Sequence, residues 1–109
     1  MFKKKQIGST SIEVSELGFG GTALGNMYKA ISDEQAKQTL SAAINCGIHF
    51  FDTAPRYGLG LSERRLGDFL RSLPRSDYVV STKVGRILKP DIAANVVMEM
   101  DISTSATAQ

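Results

Sequence analysis

Short apolar runs alternate with amphipathic stretches along most of this chain, and the alternation predicts its elements. Lys4 to Ile7 and Ile12 to Val14 are β-like stretches separated by Gly8-Ser9-Thr10-Ser11, a pattern that predicts a hairpin. Leu17 to Gly20 predicts a first core strand, and residues 21–31 a long loop containing glycine, asparagine and tyrosine. Ser32 can cap a helix, with Gln35 three residues on completing a capping box and Asp33 and Glu34 suiting the positive end of its dipole. Ala36, Leu40, Ala43 and Ile44 recur at helical spacing, and Gly47 stops the helix. Ile48 to Phe51 is a continuous apolar run that predicts a strand buried on both faces. A second helix is predicted from Ser62, with Leu66, Phe69, Leu70 and Leu73 as its stripe and Pro74 at its end. Tyr78-Val79-Val80 predicts a third core strand. Strands alternating with helices are joined by crossovers, which makes the sheet parallel and the class α/β.

The end of the chain reads differently. Ile92, Val96 and Met100 stand at helical spacing, so Pro90 to Met100 predicts a helix. Asp101 to Gln109 is small and polar and reads as a disordered tail. Residues 1–88 are therefore expected to form one α/β unit, and 89–109 a divergent, weakly ordered extension.

Charge and cysteine content exclude some classes. A net charge of +2 with no basic stripe among aromatics gives no reason to expect nucleic acid. Lys3-Lys4-Lys5 is followed by Gln6-Ile7-Gly8-Ser9-Thr10, which is no signal-peptide core, and no apolar stretch approaches the ~20 residues of a membrane span. One cysteine, Cys46, can form no internal disulfide and reads as a small packing residue, so a cytoplasmic location is expected. No metal-ligand spacing is visible. Gly18-x-Gly20-x-x-Ala23 is a near match to a dinucleotide fingerprint, but the next helix cap is Ser32, and that motif needs a helix opening directly after its glycines.

Three residues carry candidate chemistry: Asp52, Tyr57 and Lys83. Asp52 and Lys83 each fall at the carboxyl end of a predicted strand, and Tyr57 in the loop after the first of them. Reactive groups of parallel α/β folds gather at that end, where the βα-loops emerge. A phenol ordinarily ionises near pH 10, an ammonium beside it favours the phenolate, and a carboxylate can hold the ammonium in place. Singly, a strand-end Asp is often a cap, a loop Tyr packing and a Lys a solvated charge. Together they read as a proton donor and acceptor.

The segments that hold them resemble the aldo-keto reductases. Gly47-Ile48-His49-Phe50-Phe51-Asp52-Thr53-Ala54, followed by Tyr57-Gly58 and Ser62-Glu63, is similar to that family's second-strand motif. Leu17-Gly18-Phe19-Gly20-Gly21-Thr22 is similar to its first strand and Ser81-Thr82-Lys83-Val84-Gly85 to its third. Leu24-Gly25-Asn26-Met27-Tyr28 and Tyr57 to Gly67 bring the resemblance nearest to the bacterial sugar and pyridoxal dehydrogenases of the family. It covers about residues 5 to 88.

The resemblance implies the opening portion of a (β/α)₈ barrel: an amino-terminal hairpin plugging the barrel bottom and about three βα units. Such a barrel ordinarily takes ~250 residues, so an incomplete barrel from a truncated or frame-shifted gene is expected. It implies Asp52, Tyr57 and Lys83 as catalytic residues, and Gly20, Gly21, Thr22 and Asp52 beside the nicotinamide half of NADP or NAD. Met27, Tyr28 and Arg56 are candidates to line a pocket for a small carbonyl or sugar substrate. The family's catalytic histidine has no counterpart, since the lone His49 reads as a strand side chain. Very weak cofactor binding, no turnover and self-association through open strand edges are therefore expected of this chain alone. The competing expectations are a fragment without catalysis and a small α/β binding module.

Overall fold

A computed structural model describes residues 2–91 and 96–101. Strands β1 (Lys4–Gln6) and β2 (Glu13–Ser15) pair antiparallel as the expected hairpin. Strands β3 (Phe19–Gly20), β4 (Phe50–Asp52) and β5 (Val79–Ser81) form a parallel sheet in that order. Helix α1 (Asp33–Asn45) makes the crossover from β3 to β4, and helix α2 (Leu61–Leu70) that from β4 to β5. The described chain is thus the hairpin and successive βα units of an α/β fold, with no closed barrel.

Helix α1 starts where its capping box places it. The Ser32 hydroxyl accepts from the Gln35 backbone N–H, and the Gln35 side chain accepts from the Ser32 N–H. Gly47, at φ 97°, turns the chain out of it in a left-handed conformation that a side chain rarely adopts. Ala36, Leu40 and Ala43 from this helix meet Leu66 and Leu70 from α2 over Phe51, which is fully buried. Leu24 closes the same core, with Phe19 against Phe51 at a ring-centroid separation of 5.8 Å.

Several expectations need correction. The first core strand is two residues long, and a 3₁₀ helix (Gly21–Gly25) follows it where a loop was expected. Five 3₁₀ residues are a tight turn and no dinucleotide-binding helix. Helix α2 begins at Leu61 after Gly60, and Ser62, its second residue, is buried. Cys46 is exposed, because it caps the carboxyl end of α1 outside the apolar stripe. The helix expected over Pro90 to Met100 is a strand instead: β6 (Arg86–Asp91) pairs antiparallel with β7 (Val96–Asp101). The β-branched pair Val96-Val97 suits that pairing better than a helix. Residues 92–95, and the expected tail beyond Asp101, lie outside the described residues. Among the described residues no helix is long and apolar enough to cross a membrane.

Burial on two faces holds for neither strand in full: β4 buries Phe51 but leaves Phe50 and Asp52 partly exposed, and β5 buries none of its residues. Val80 is the register partner of Phe51 and shares its face, yet it is 40% exposed. It borders an open groove of about 410 Å³ with Leu66, Leu70 and Tyr78. Helix α2 covers β4 and leaves the helix side of β5 open.

Two glycines are required by space. A Cβ on Gly25 would lie 2.3 Å from the Tyr57 carbonyl carbon and 2.4 Å from its oxygen; one on Gly58 would lie 2.4 Å from the Gly25 oxygen. Backbone rests directly on backbone there. Gly25→Ala should destabilise the fold by about 3 kcal/mol, the upper end of overpacking, because no flexible side chain can move aside. Gly67→Ala, inside α2 with open space where the new methyl would lie, should stabilise by about 1 kcal/mol. Urea midpoints of the two variants followed by circular dichroism check this; shifts of the same sign would contradict it.

Candidate active site

The parallel register builds the site. Gly20 pairs with Asp52, and Asp52 with Ser81, so the last residues of β3, β4 and β5 form one row across the sheet. Phe19, Phe51 and Val80, one residue earlier, make the adjacent row that faces the helices. Side chains alternate along a strand, so the row ending the strands turns away from the apolar core. Thus Asp52 sits at the carboxyl edge of the sheet, as its place in the sequence implies.

Asp52 and Lys83 meet there. Lys83 Nζ donates to Asp52 Oδ2 and to the Thr53 carbonyl, both at 2.9 Å. The same ammonium lies 5.2 Å from the centroid of the Tyr57 ring, within cation–π range. Asp52 Oδ1 accepts a 2.6 Å hydrogen bond from the Ser81 hydroxyl. The Ser81 bond, then Lys83, hold the Asp52 carboxyl below the ordinary carboxylate range, with burial opposing. Lys83 is raised above its ordinary value, first by its bond to Asp52, against burial, with Tyr57 contributing least.

The loop bearing Tyr57 is fixed from both ends. Gly58, Leu59 and Gly60 all have positive φ, a tight coil that delivers the chain into α2. Leu59 at φ 51° is strained for a side-chain-bearing residue, a conformation the surrounding contacts must impose. Tyr57 is half-buried beneath the Gly25 contact described above.

Gly20, Gly21 and Thr22 lie together at the end of β3, in unlike settings. Gly20 is exposed, and a Cβ there would meet nothing, leaving open space beside Asp52. Gly21 is buried, and a Cβ on it would lie 2.8 Å from Ser62 Oγ and 3.0 Å from the Asp52 carbonyl. Thr22 is half-buried. Arg56 joins Ala54, Pro55, Lys83, Val84 and Arg86 in lining a cleft of about 400 Å³ next to the ion pair. Met27 and Tyr28 are exposed and do not line it. His49 precedes β4, with Nδ1 2.9 Å from the Asp77 carbonyl, so it ties strand starts together.

Sequence reasoning missed three buried polar residues. The Ser62 hydroxyl donates to the Gly21 carbonyl at 2.7 Å and lies 2.8 Å from the buried Thr53 hydroxyl. Arg65, nearly buried, donates to the Leu24 and Ile31 carbonyls, to Asn26 Oδ1 and to Asp33 Oδ1 at 2.8 to 3.0 Å. One guanidinium therefore fastens α2 to the loop after β3 and to the start of α1. The only signal was position: Ser62 and Arg65 lie at i and i+3, on the same helix face as Leu66.

Known proteins resemble this chain in sequence and fold. The aldo/keto reductase family model matches residues 16–107. D-threo-aldose 1-dehydrogenase of a Pseudomonas species is 49% identical over 83 residues, 76% of this chain and 25% of that protein. Pyridoxal 4-dehydrogenase of Microbacterium luteolum is 43% identical over 86 residues, 79% of this chain and 25% of that protein. Among solved structures, a holo aldo-keto reductase from Bacillus halodurans superposes with a TM-score of 0.71 at 34% identity, covering 82% of this chain and 28% of that one. The chain spans about a quarter of the length of the curated relatives it matches.

The ion pair sets a pH dependence with two limits. An acid lowered in the folded state adds stability above its unfolded value, near 3.8 for Asp52, and loses it as pH falls through the folded value. A lysine raised on folding adds stability below 10.5 and loses it as pH rises through the folded value. Both side chains are nearly half exposed, so screening keeps the pair's contribution below about 1 kcal/mol. Asp52→Asn should remove most of the alkaline loss, leaving the small share from Tyr57, and reduce the acid one, leaving the share from Asp33, which Arg65 lowers. Urea midpoints against pH measure both limbs, and an unchanged alkaline limb would contradict the pairing.

Proposed function

The chain belongs to the aldo/keto reductase family, and from that premise we propose that it carries the acid–base part of a nicotinamide-dependent oxidoreductase site. The substrate class proposed is the carbonyl or hydroxyl of a sugar, pyridoxal or other small aldehyde. Support comes from two relatives named as dehydrogenases of an aldose and of pyridoxal. The observation that carries the reading is the single ammonium shared by Asp52, the Thr53 carbonyl and the Tyr57 ring.

NADP or NAD, when bound, supplies or accepts the hydride. The donor set suits such a group: open space at Gly20 beside the Asp52 carboxylate, with Thr22 on the same turn. Gly21 contributes by packing against Ser62, which fixes the backbone wall between them. The Tyr57 phenol gives its proton to the carbonyl oxygen in reduction and takes it back in oxidation. Lys83 supplies positive charge beside the ring, and Asp52 keeps that ammonium from turning to solvent. Ala54, Pro55 and Arg56 offer a wall for the substrate next to Lys83.

By itself the chain is proposed to be inactive and to hold the cofactor at millimolar strength or weaker, about 4 kcal/mol or less. Among the described residues nothing pairs with the outer edges of β3 and β5, and open edges of that kind favour self-association.

Completing the chain with the remaining segment of the Pseudomonas D-threo-aldose 1-dehydrogenase should yield aldose- or pyridoxal-dependent change in nicotinamide absorbance. Tyr57→Phe in that hybrid should reduce turnover by about 10²-fold or more. Equal turnover in the Phe variant would remove the proton-transfer role from Tyr57.

A further inference from the structure

The last residue of β5 and the two that follow it turn to two different sides of the sheet. Ser81 and Lys83, two apart, both reach Asp52, one on each carboxylate oxygen: Ser81 Oγ on Oδ1 at 2.6 Å and Lys83 Nζ on Oδ2 at 2.9 Å. Thr82 between them points the other way, and its hydroxyl donates to Glu63 Oε2 on α2 at 2.9 Å. This is strand alternation carried past the end of the strand. The Thr82–Glu63 bond holds the segment against α2 on one side while its neighbours hold the carboxylate on the other.

A lone ammonium would leave the Asp52 carboxylate free to rotate about its last torsion and present either oxygen. With Ser81 directly opposite in the register, one oxygen is already engaged. The Ser81 bond fixes the turn of the carboxylate, and in that turn Oδ2 is the oxygen that meets Lys83, on the side where Tyr57 lies. Ser81 is bonded to the carboxylate and Lys83 to the carboxylate's other oxygen, so any effect of Ser81 on Lys83 passes through Asp52.

We propose that Ser81 is a positioning residue of this site, whose hydroxyl fixes the Asp52 carboxylate so that its other oxygen holds Lys83 against the Tyr57 ring. The inference rests on the reading of Asp52, Tyr57 and Lys83 as the acid–base group. The lowered carboxyl of Asp52, for which Ser81 is the largest cause, accords with it.

The test is carboxyl-carbon NMR titration of the whole chain, comparing Ser81→Ala and Ser81→Thr with the parent. Asp33 serves as an internal reference, since Arg65 lowers it at a place remote from Ser81 in the bonding network. The expected result is an Asp52 midpoint moved up toward the ordinary carboxylate value in Ser81→Ala and restored in Ser81→Thr. Asp33 should be unmoved in both, and the Lys83 ε-protons should move away from the Tyr57 ring only in Ser81→Ala. An Asp52 midpoint unchanged in Ser81→Ala, with Asp33 still lowered, would overturn the proposal. So would loss of the Asp33 reference in both variants, which would make Ser81 a residue needed for folding. No turnover enters this measurement, so it stands apart from the Tyr57→Phe test: a failure there removes the chemistry and leaves the positioning result intact.

Discussion

Where Gly25 rests on Tyr57 and Gly58, the 3₁₀ turn after β3 and the loop after β4 touch backbone to backbone, closer than any side chain would permit. That contact decides where the loop after β4 can run, and so where Tyr57 stands relative to the end of the sheet. It is held by polar groups taken out of water. Arg65 gathers the Leu24 and Ile31 carbonyls and two side chains around one guanidinium, and Ser62 takes the Gly21 carbonyl. A charge buried with its donors satisfied is stable in place, whereas removing it would strand several acceptors at once. The loop after β3 therefore behaves as part of the α2 surface.

The sheet supplies the other half of the geometry. Parallel pairing of β3, β4 and β5 aligns Gly20, Asp52 and Ser81 in one row, and the row before it is apolar and faces the helices. The same register that buries Phe51 places a carboxylate at the sheet edge. Core and site are successive rows of one lattice, and a shift of register by one residue would exchange them. The hairpin of β1 and β2 is joined to this lattice through Ser15, whose hydroxyl accepts from the His49 N–H and donates to the Leu17 carbonyl.

Local signals made much of this legible. The Ser32 capping box, the Gly47 stop and the stripes Ala36-Leu40-Ala43 and Leu66-Leu70 each follow from neighbours in sequence, and each forms as expected. Asp52 and Lys83 could be paired from their positions at strand ends, because parallel strands put those ends together. Pairings between distant segments were not legible. Nothing near Ser62 or Arg65 in sequence announces partners some forty residues away, and a hydroxyl or guanidinium on a helix ordinarily reads as solvated. The strand β7 was misread because Ile92, Val96 and Met100 fit a helical period, while its pairing with β6 depends on a partner strand that a period cannot reveal.

Lys83, though half exposed, is held by Asp52 against the Tyr57 ring, and the proposed chemistry stands or falls with that placement. Both side chains of the ion pair are partly exposed, so what matters is whether the geometry persists in solution. Nuclear Overhauser effects between the Lys83 side chain and the Tyr57 ring, in protein labelled at lysine and tyrosine, address it most directly. The predicted result is a set of cross-peaks from the Lys83 ε-methylene to the ring, with ε-protons shifted by the ring current, and neither signature surviving in Asp52→Asn. A Lys83 side chain with unshifted resonances and no cross-peak to Tyr57, in a chain whose Leu40, Phe51 and Leu66 still show cross-peaks to one another, would contradict it.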